Sequence, residues 1–182
     1  PEEFNSSLDL LVLPGGADIA PHESGGRLSM YVGNQNPMLE FFDNKTLPKY
    51  IDSGVPIFGI CRGAQRLWTM HGGAYLQDFP GHSQSDYKTD LAHELFYKSK
   101  QLPQLKVTSR HHQAMMIGKE DESLDVIISE DGNVEAFTFG NIVGVQYHPE
   151  DNGPNDWFTP QLISALLDRK EINSFTDFLP QK

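Results

Sequence analysis

Apolar positions fall along this chain in short runs, each stopped by glycine, proline or a polar stretch, the spacing of an α/β protein rather than of a helical bundle. Leu8 to Leu13 (LDLLVL) is such a run, closed by Pro14-Gly15-Gly16, and predicts a buried strand feeding a tight turn. It is apolar on both faces, so it is expected inside a sheet with a neighbour on each side. Residues 18–36 are rich in Gly, Ser, Asn and His and read as a loop. Between Pro37 and Gly54, Met38, Leu39, Phe41, Phe42, Leu47, Tyr50 and Ile51 recur at helical spacing. Pro48 interrupts them, which predicts a break or two short helices, and Gly54 fits a helix stop. Val55 to Ile60 (VPIFGI) predicts a second buried strand. It runs straight into Cys61-Arg62-Gly63 and the helical stretch AQRLWTM, which ends at Gly72-Gly73.

Further along, residues 77–104 are polar and loop-like, and Val107 to Arg110 predicts a strand ahead of His111-His112-Gln113. NVEAFTF and IVGVQYH flank Gly140-Asn141, the pattern of a hairpin with a two-residue turn. Thr159-Pro160 predicts a helix start, Thr159 as N-cap and Pro160 at the first helical position. Leu162, Ile163, Leu166 and Leu167 are expected on one face of that helix. The expected architecture is a three-layer α/β sandwich with a mostly parallel sheet, flavodoxin-like in layout, its site at the carboxyl ends of the strands.

Composition narrows the function classes. A length of 182 residues suits one domain, expected over 1–182, and 38% hydrophobic with 21% charged residues suits a globular chain. The formal net charge of −11 repels nucleic acid and anionic membrane surfaces. No run approaches the roughly 18 apolar residues of a membrane helix. The first residues do not read as a basic-then-apolar leader, so a cytoplasmic setting is expected. One cysteine excludes an intrachain disulfide and any multi-cysteine metal site.

That cysteine carries the strongest chemical signal. Gly59-Ile60-Cys61-Arg62-Gly63 sits between a predicted strand and a predicted helix, the layout of a nucleophile elbow. The following helix would aim free N–H groups and its positive end at the sulfur, both of which favour thiolate. A lone cysteine is otherwise most often a small buried hydrophobe. Tyr147-His148-Pro149-Glu150 supplies the second signal. Residues two apart on a strand project to one side, which lets Glu150 orient His148 as a base for the thiol. The order Cys then His-x-Glu argues against an ordinary α/β-hydrolase, where an acid lies between nucleophile and histidine. The third signal is Pro14-Gly15-Gly16-Ala17-Asp18, whose consecutive glycines free backbone N–H groups to serve as one oxyanion donor, with the N–H of Arg62 as the other.

Together these residues resemble the class I glutamine amidotransferase-like superfamily, which combines a PGG turn, a G-x-C-x-G elbow with Gln four residues after the Cys, and a late H-P-E. Here they are Pro14 to Gly16, Gly59 to Gly63 with Gln65, and His148 to Glu150. Arg62, the PGG-x-D of Asp18, the S-x-H-H-Q of Ser109 to Gln113 and the DG-x-VEA of Asp131 to Ala136 resemble the gamma-glutamyl hydrolase branch, which includes enzymes that cleave gamma-glutamyl-aminobutyrate. The resemblance implies Cys61 as nucleophile, His148 as base and acid, and Glu150 as its orienter. It implies oxyanion donors from Gly16 and Arg62, and substrate contacts from Gln65, His111, His112 and Gln113. It implies no metal or other cofactor, and adjacent His111 and His112 are poorly placed to share one ion.

The reaction so implied is hydrolysis of a small gamma-glutamyl amide through a thioester. Two rivals differ in class: a glutaminase subunit passing ammonia to a separate synthase partner, and a non-catalytic interaction module. Family members place a strand and a helix ahead of the PGG strand, whereas eight residues precede Asp9 here. Upstream residues are therefore expected to complete the sheet. Without them the first strand would lie at an edge and invite a second chain, hence a homo-oligomer.

Overall fold

The computed structural model describes residues 4–24, 30–82, 93–118, 124–152 and 156–180. Nine strands are assigned: β1 (Leu11–Leu13), β2 (Ile57–Ile60), β3 (Ala74–Leu76), β4 (His93–Tyr97), β5 (Lys100–Val107), β6 (Ala114–Met116), β7 (Asp125–Ser129), β8 (Val134–Phe139) and β9 (Ile142–Val145). Among the described residues five α-helices accompany them: α1 (Pro37–Lys45), α2 (Leu47–Ser53), α3 (Arg62–Met70), α4 (Pro149–Asn152) and α5 (Thr159–Leu167).

The helical stretch before the elbow divides as its proline predicts. Asn36 caps α1 by accepting from the N–H groups of Met38 and Leu39, the chain breaks at Thr46, and Pro48 sits in the first turn of α2, where its missing N–H costs nothing. Gly54 then ends α2 with φ 71°. Gly140 and Asn141 join β8 to β9 as an antiparallel hairpin. At α5 the helix starts one residue earlier than expected. Asp156 Oδ1 takes the N–H of Thr159 at 2.9 Å and so does the capping expected of Thr159. Leu162 and Leu166 are buried there, but Leu167 is exposed, so the apolar face is narrower than the sequence suggests.

Seven strands form one sheet in the order β1-β2-β9-β8-β7-β4-β5, and β3 pairs with β6 in a small second sheet. The α/β architecture is as expected, but the parallel part is confined to β1, β2 and β9. From β9 to β5 every neighbour is antiparallel. The hairpin β4–β5 begins inside the stretch expected to be loop and runs on to Val107, so of the strand expected over Val107–Arg110 only Val107 lies in a strand; the hairpin's turn is Lys98-Ser99, both at positive φ without a glycine to announce it. The alternation of buried His93, Leu95 and Tyr97 was its one sequence signal. Residues 83–92 of that expected loop lie outside the described residues.

Helices cover both faces. Phe58, Val143, Val145 and Tyr147 pack with Leu162 and Leu166 of α5, while Ile57, Phe137 and Ile142 pack with Leu67 and Trp68 of α3 and Tyr50 of α2. Each such fully buried side chain contributes about 1.5–3 kcal/mol. β1 bonds only to β2 among the described residues, so it is an edge and not the inner strand expected from its apolarity. Leu13 packs under α3, but Val12, on the opposite face, is 48% exposed. No helix among the described residues is long and apolar enough to cross a membrane.

Candidate active site

β2 ends at Ile60, and Cys61 follows with φ 49° and ψ −110°, a conformation that costs a residue with a side chain about 1–3 kcal/mol. Its surroundings hold it there. The Cys61 N–H donates to the Val145 carbonyl at 2.8 Å, and the Cys61 carbonyl accepts the first helical N–H from Gln65 at 2.9 Å. Gly63 lies so close to the backbone of Leu13 that any Cβ there would overlap its carbonyl. The strand–elbow–helix expected from the sequence is therefore built, with the sulfur at the carboxyl end of the parallel strands.

His148 comes just after β9. Its Nδ1 lies 2.7 Å from Glu150 Oε1, which assigns the Nδ1 proton to that bond and leaves the Nε2 lone pair free. The pairing was expected from strand alternation but arises otherwise. The chain turns into α4 at Pro149, and the turn brings Glu150 back under the ring. Gly15 sits between His148 and Cys61. A Cβ on it would lie 2.9 Å from His148 Cε1, 3.6 Å from His148 Nε2 and 3.6 Å from Cys61 Cβ. The imidazole and the Cys61 Cβ thus both border Gly15, and a side chain on this glycine would press on the ring.

The thiol itself is not primed as the sequence suggests. Cys61 is 7% exposed, and burial pushes its pKa up to about 12. The N–H of Arg62 lowers it, but Glu135, Glu150 and Asp18 raise it further. Burial outweighs the helix terminus, so the free protein holds a neutral thiol.

Around the sulfur runs a chain of buried amides. Gln146 Nε2 lies 3.8 Å from Cys61 Sγ, Gln65 Nε2 donates to Gln146 Oε1 at 3.2 Å and to the Gln113 carbonyl at 2.9 Å, and the Tyr75 hydroxyl donates to Gln113 Oε1 at 2.6 Å. Gln65 and Gln113 were expected to touch substrate; both side chains are buried, Gln65 bonding Gln146 and the Gln113 carbonyl, and Gln113 Oε1 accepting from the Ile19 N–H and the Tyr75 hydroxyl. His111 and His112 diverge. His111 turns inward and donates Nδ1–H to the Gln113 carbonyl at 2.8 Å, and burial pushes its pKa down to about 3. His112 faces outward, its Nε2 2.9 Å from Asp18 Oδ2 and its Nδ1 3.4 Å from Asp78 Oδ1. Of these four residues only His112 keeps a partly exposed side chain.

Gly16 packs against Arg62, where a Cβ would lie 3.7 Å from Arg62 Cδ. The Arg62 side chain turns away from the thiol: Nε donates to the Ala17 carbonyl at 3.1 Å, and a terminal nitrogen pairs with buried Asp43 at 2.5 Å. Burial raises the Asp43 carboxyl, and Arg62 and Arg66 pull against that rise. Sequence reasoning missed Asp43, Tyr75 and Gln146. Two arginines one turn apart at positions 62 and 66 of a buried helix were a signal that an acid must meet them. Tyr75 and Gln146 left no such signal.

The Peptidase C26 family model matches residues 2–150. YvdE of Lactococcus lactis subsp. lactis, named as glutamine amidotransferase-like, is 29% identical over 180 residues, covering 91% of this chain and 75% of its own length. Rv2859c of Mycobacterium tuberculosis, which carries a glutamine amidotransferase name, is 31% identical over 183 residues, and the match spans 89% of this chain but only 56% of that protein. Among solved structures, a glutamine amidotransferase of Thermotoga maritima superposes with TM-score 0.54 at 18% identity, covering 93% of this chain and 66% of that one. The likeness in structure is one of fold.

Proposed function

The chain belongs to the Peptidase C26 family, a hydrolase-type family whose relatives here carry glutamine amidotransferase names, and from that premise we propose that it hydrolyses gamma-glutamyl amides through Cys61, His148 and Glu150. The observation that carries the proposal is the placement of the Cys61 thiol and the His148 imidazole on either side of Gly15, with the imidazole held by Glu150.

Because the thiol starts neutral, proton transfer accompanies attack. His148 Nε2 takes the Sγ proton as sulfur bonds to the side-chain carbonyl carbon, and Glu150 supports the resulting imidazolium. The oxyanion is received by the N–H of Arg62, which already points at the sulfur, and by the N–H of Gly16. His148 returns its proton to the departing amine as the C–N bond breaks. A gamma-glutamyl thioester remains. Water, deprotonated by His148, attacks it, and glutamate leaves with Cys61 restored as thiol. His112 and Asp18, at the open side, are the groups that meet the glutamyl head, while Gln65 and Gln113 act as positioning residues.

Release of glutamate from glutamine, gamma-glutamyl-aminobutyrate and gamma-glutamyl peptides, with Cys61→Ser as control, tests this reading. Turnover of at least one gamma-glutamyl amine, lost in the control, is expected. No turnover of any by a folded chain would sink it. Turnover of glutamine alone would instead favour a glutaminase that feeds ammonia to a separate synthase.

A further inference from the structure

Behind the elbow, on the antiparallel side of the sheet, lies a second cluster of buried titratable groups that the reaction above does not use. His82, His93 and Glu135 each offer one ligand atom, and these three atoms lie within 4.8 Å of one another. All three residues are buried: His82 is 1% exposed, His93 8% and Glu135 0%. They come from three segments, the turn after β3, the start of β4 and the start of β8.

Among the described residues, each imidazole has one ring nitrogen without a partner; the other nitrogen of His82 is hydrogen-bonded, and that of His93 faces a more distant carboxylate. His82 Nε2 lies 2.7 Å from Asp131 Oδ2, and its Nδ1 has no partner. His93 Nδ1 lies 3.8 Å from Glu130 Oε1, and its Nε2 has no partner. His111, whose ring centroid is 4.9 Å from that of His82, repeats the pattern: Nδ1 is held by the Gln113 carbonyl and Nε2 has no partner. Glu135 Oε1 accepts from Asn133 Nδ2 at 2.7 Å, while Oε2 has no partner. Buried polar atoms without partners cost about 1–3 kcal/mol each, so four in one cluster require a reason. Oxygen on one ring nitrogen with a lone pair on the other is how metal-binding histidines are oriented from outside the coordination shell.

We infer that His82, His93 and Glu135 bind a divalent transition-metal ion of the zinc type, and His111, whose ring neighbours that of His82, is a third imidazole at the edge of the cluster. Two or three imidazoles with one carboxylate suit zinc rather than calcium or magnesium, which take oxygen. The cluster also reaches the nucleophile. The Glu135 carbonyl accepts the N–H of Gln146 at 2.8 Å, and the Gln146 side chain lies against Cys61 Sγ.

The test uses the full chain carrying Cys61→Ser, which removes the only thiol as a competing ligand. Titration with Zn²⁺ alone is expected to show one tightly bound ion per chain, and at a hundredfold excess over Kd the melting temperature should rise by about 5 °C or more. Co²⁺ in its place should give the visible absorption of a four-coordinate site. Glu135→Gln or His93→Gln should weaken binding by roughly a hundredfold or more. Asp131→Asn, at a partly exposed position that leaves the fold alone, should weaken it by about 10–100-fold through the His82 tether. Failure to bind Zn²⁺ would overturn the inference. So would binding that survives the Glu135, His93 and Asp131 variants, or binding lost only with His148→Ala, which would place the ion at His148, Glu150 and Asp151 instead.

Discussion

The corner around Cys61 and the histidine–glutamate cluster behind it lie in the same sheet but are assembled in opposite ways. At the corner, six consecutive residues from Ile60 to Gln65 make the strand end, the turn and the helix start, and His148 and Glu150 are two apart in sequence. Amides around the sulfur are bonded to one another in series. In the cluster, His82 meets Asp131 across 49 residues of chain, and among the described residues the nitrogens and oxygen without hydrogen bonds are one on each of His82, His93 and Glu135. On the proposed reading, the corner is held mainly by hydrogen bonds between its own groups, Gln113 Nε2 being left without a partner among the described residues. A cluster whose buried atoms lack partners is completed by something else. Changes at the corner should therefore cost activity with little stability, and changes in the cluster should cost metal affinity with little direct effect on acyl chemistry.

Cys61→Ser is the sharpest test of the first half. Glutamate release should fall by about 10⁴-fold or more with an unchanged melting temperature. A loss of stability as large as the loss of activity would put Cys61 in the core and not in a site. Glu150→Gln comes next. It keeps the shape but weakens the hold on the imidazolium, and kcat should drop by about 10³-fold with KM nearly constant. Gly15→Ala should cost about 10²-fold in kcat, because the added methyl meets His148 Cε1 at 2.9 Å and displaces the ring from the thiol. If Gly15→Ala is silent, the approach of imidazole and thiol across this glycine is not part of the reaction.

The neutral thiol makes a subtler prediction. With its pKa pushed up to about 12, Cys61 in the free protein should be alkylated by iodoacetamide at a rate that rises about tenfold per pH unit from pH 6 to pH 9. The sign follows from the shift: a raised pKa leaves the reactive thiolate scarce near neutrality and increasing with pH. A plateau below pH 7 would show a preformed thiolate–imidazolium pair. The smallest effect is expected from Tyr75→Phe, which removes the 2.6 Å hydrogen bond to Gln113 and should cost about 1 kcal/mol of stability with a few-fold change in kcat.

Much of the corner was legible in sequence because its causes are local. An apolar run ending in G-x-C-x-G, followed by helical spacing, has few ways to fold other than strand, tight turn and helix. Pro48 and Gly54 divided and ended the preceding helical stretch as their backbone preferences require, and Gly140-Asn141 marked the hairpin. The family followed from three such local motifs in order. What depended on distant partners was not legible. The pairing direction of β7, β4 and β5 follows from contacts across the sheet, and the Lys98-Ser99 turn carries no residue that announces it. Exposure of Val12 depends on what lies beside β1, which its own apolarity does not report.

By itself, then, the chain determined the elbow, the His-x-Glu pair and the helix boundaries, because each rests on backbone freedom and spacing within a few residues. Only the tertiary structure decided that Gly15 stands between thiol and imidazole, that Asp43 holds Arg62, and that burial keeps Cys61 protonated. The same holds for the meeting of His82, His93 and Glu135: Glu135 lies in the DG-x-VEA run, but nothing in that run reports the two histidines beside it. Burial and proximity are properties of the packed chain: they set the dielectric and the neighbours of each group, and no short stretch of sequence contains them.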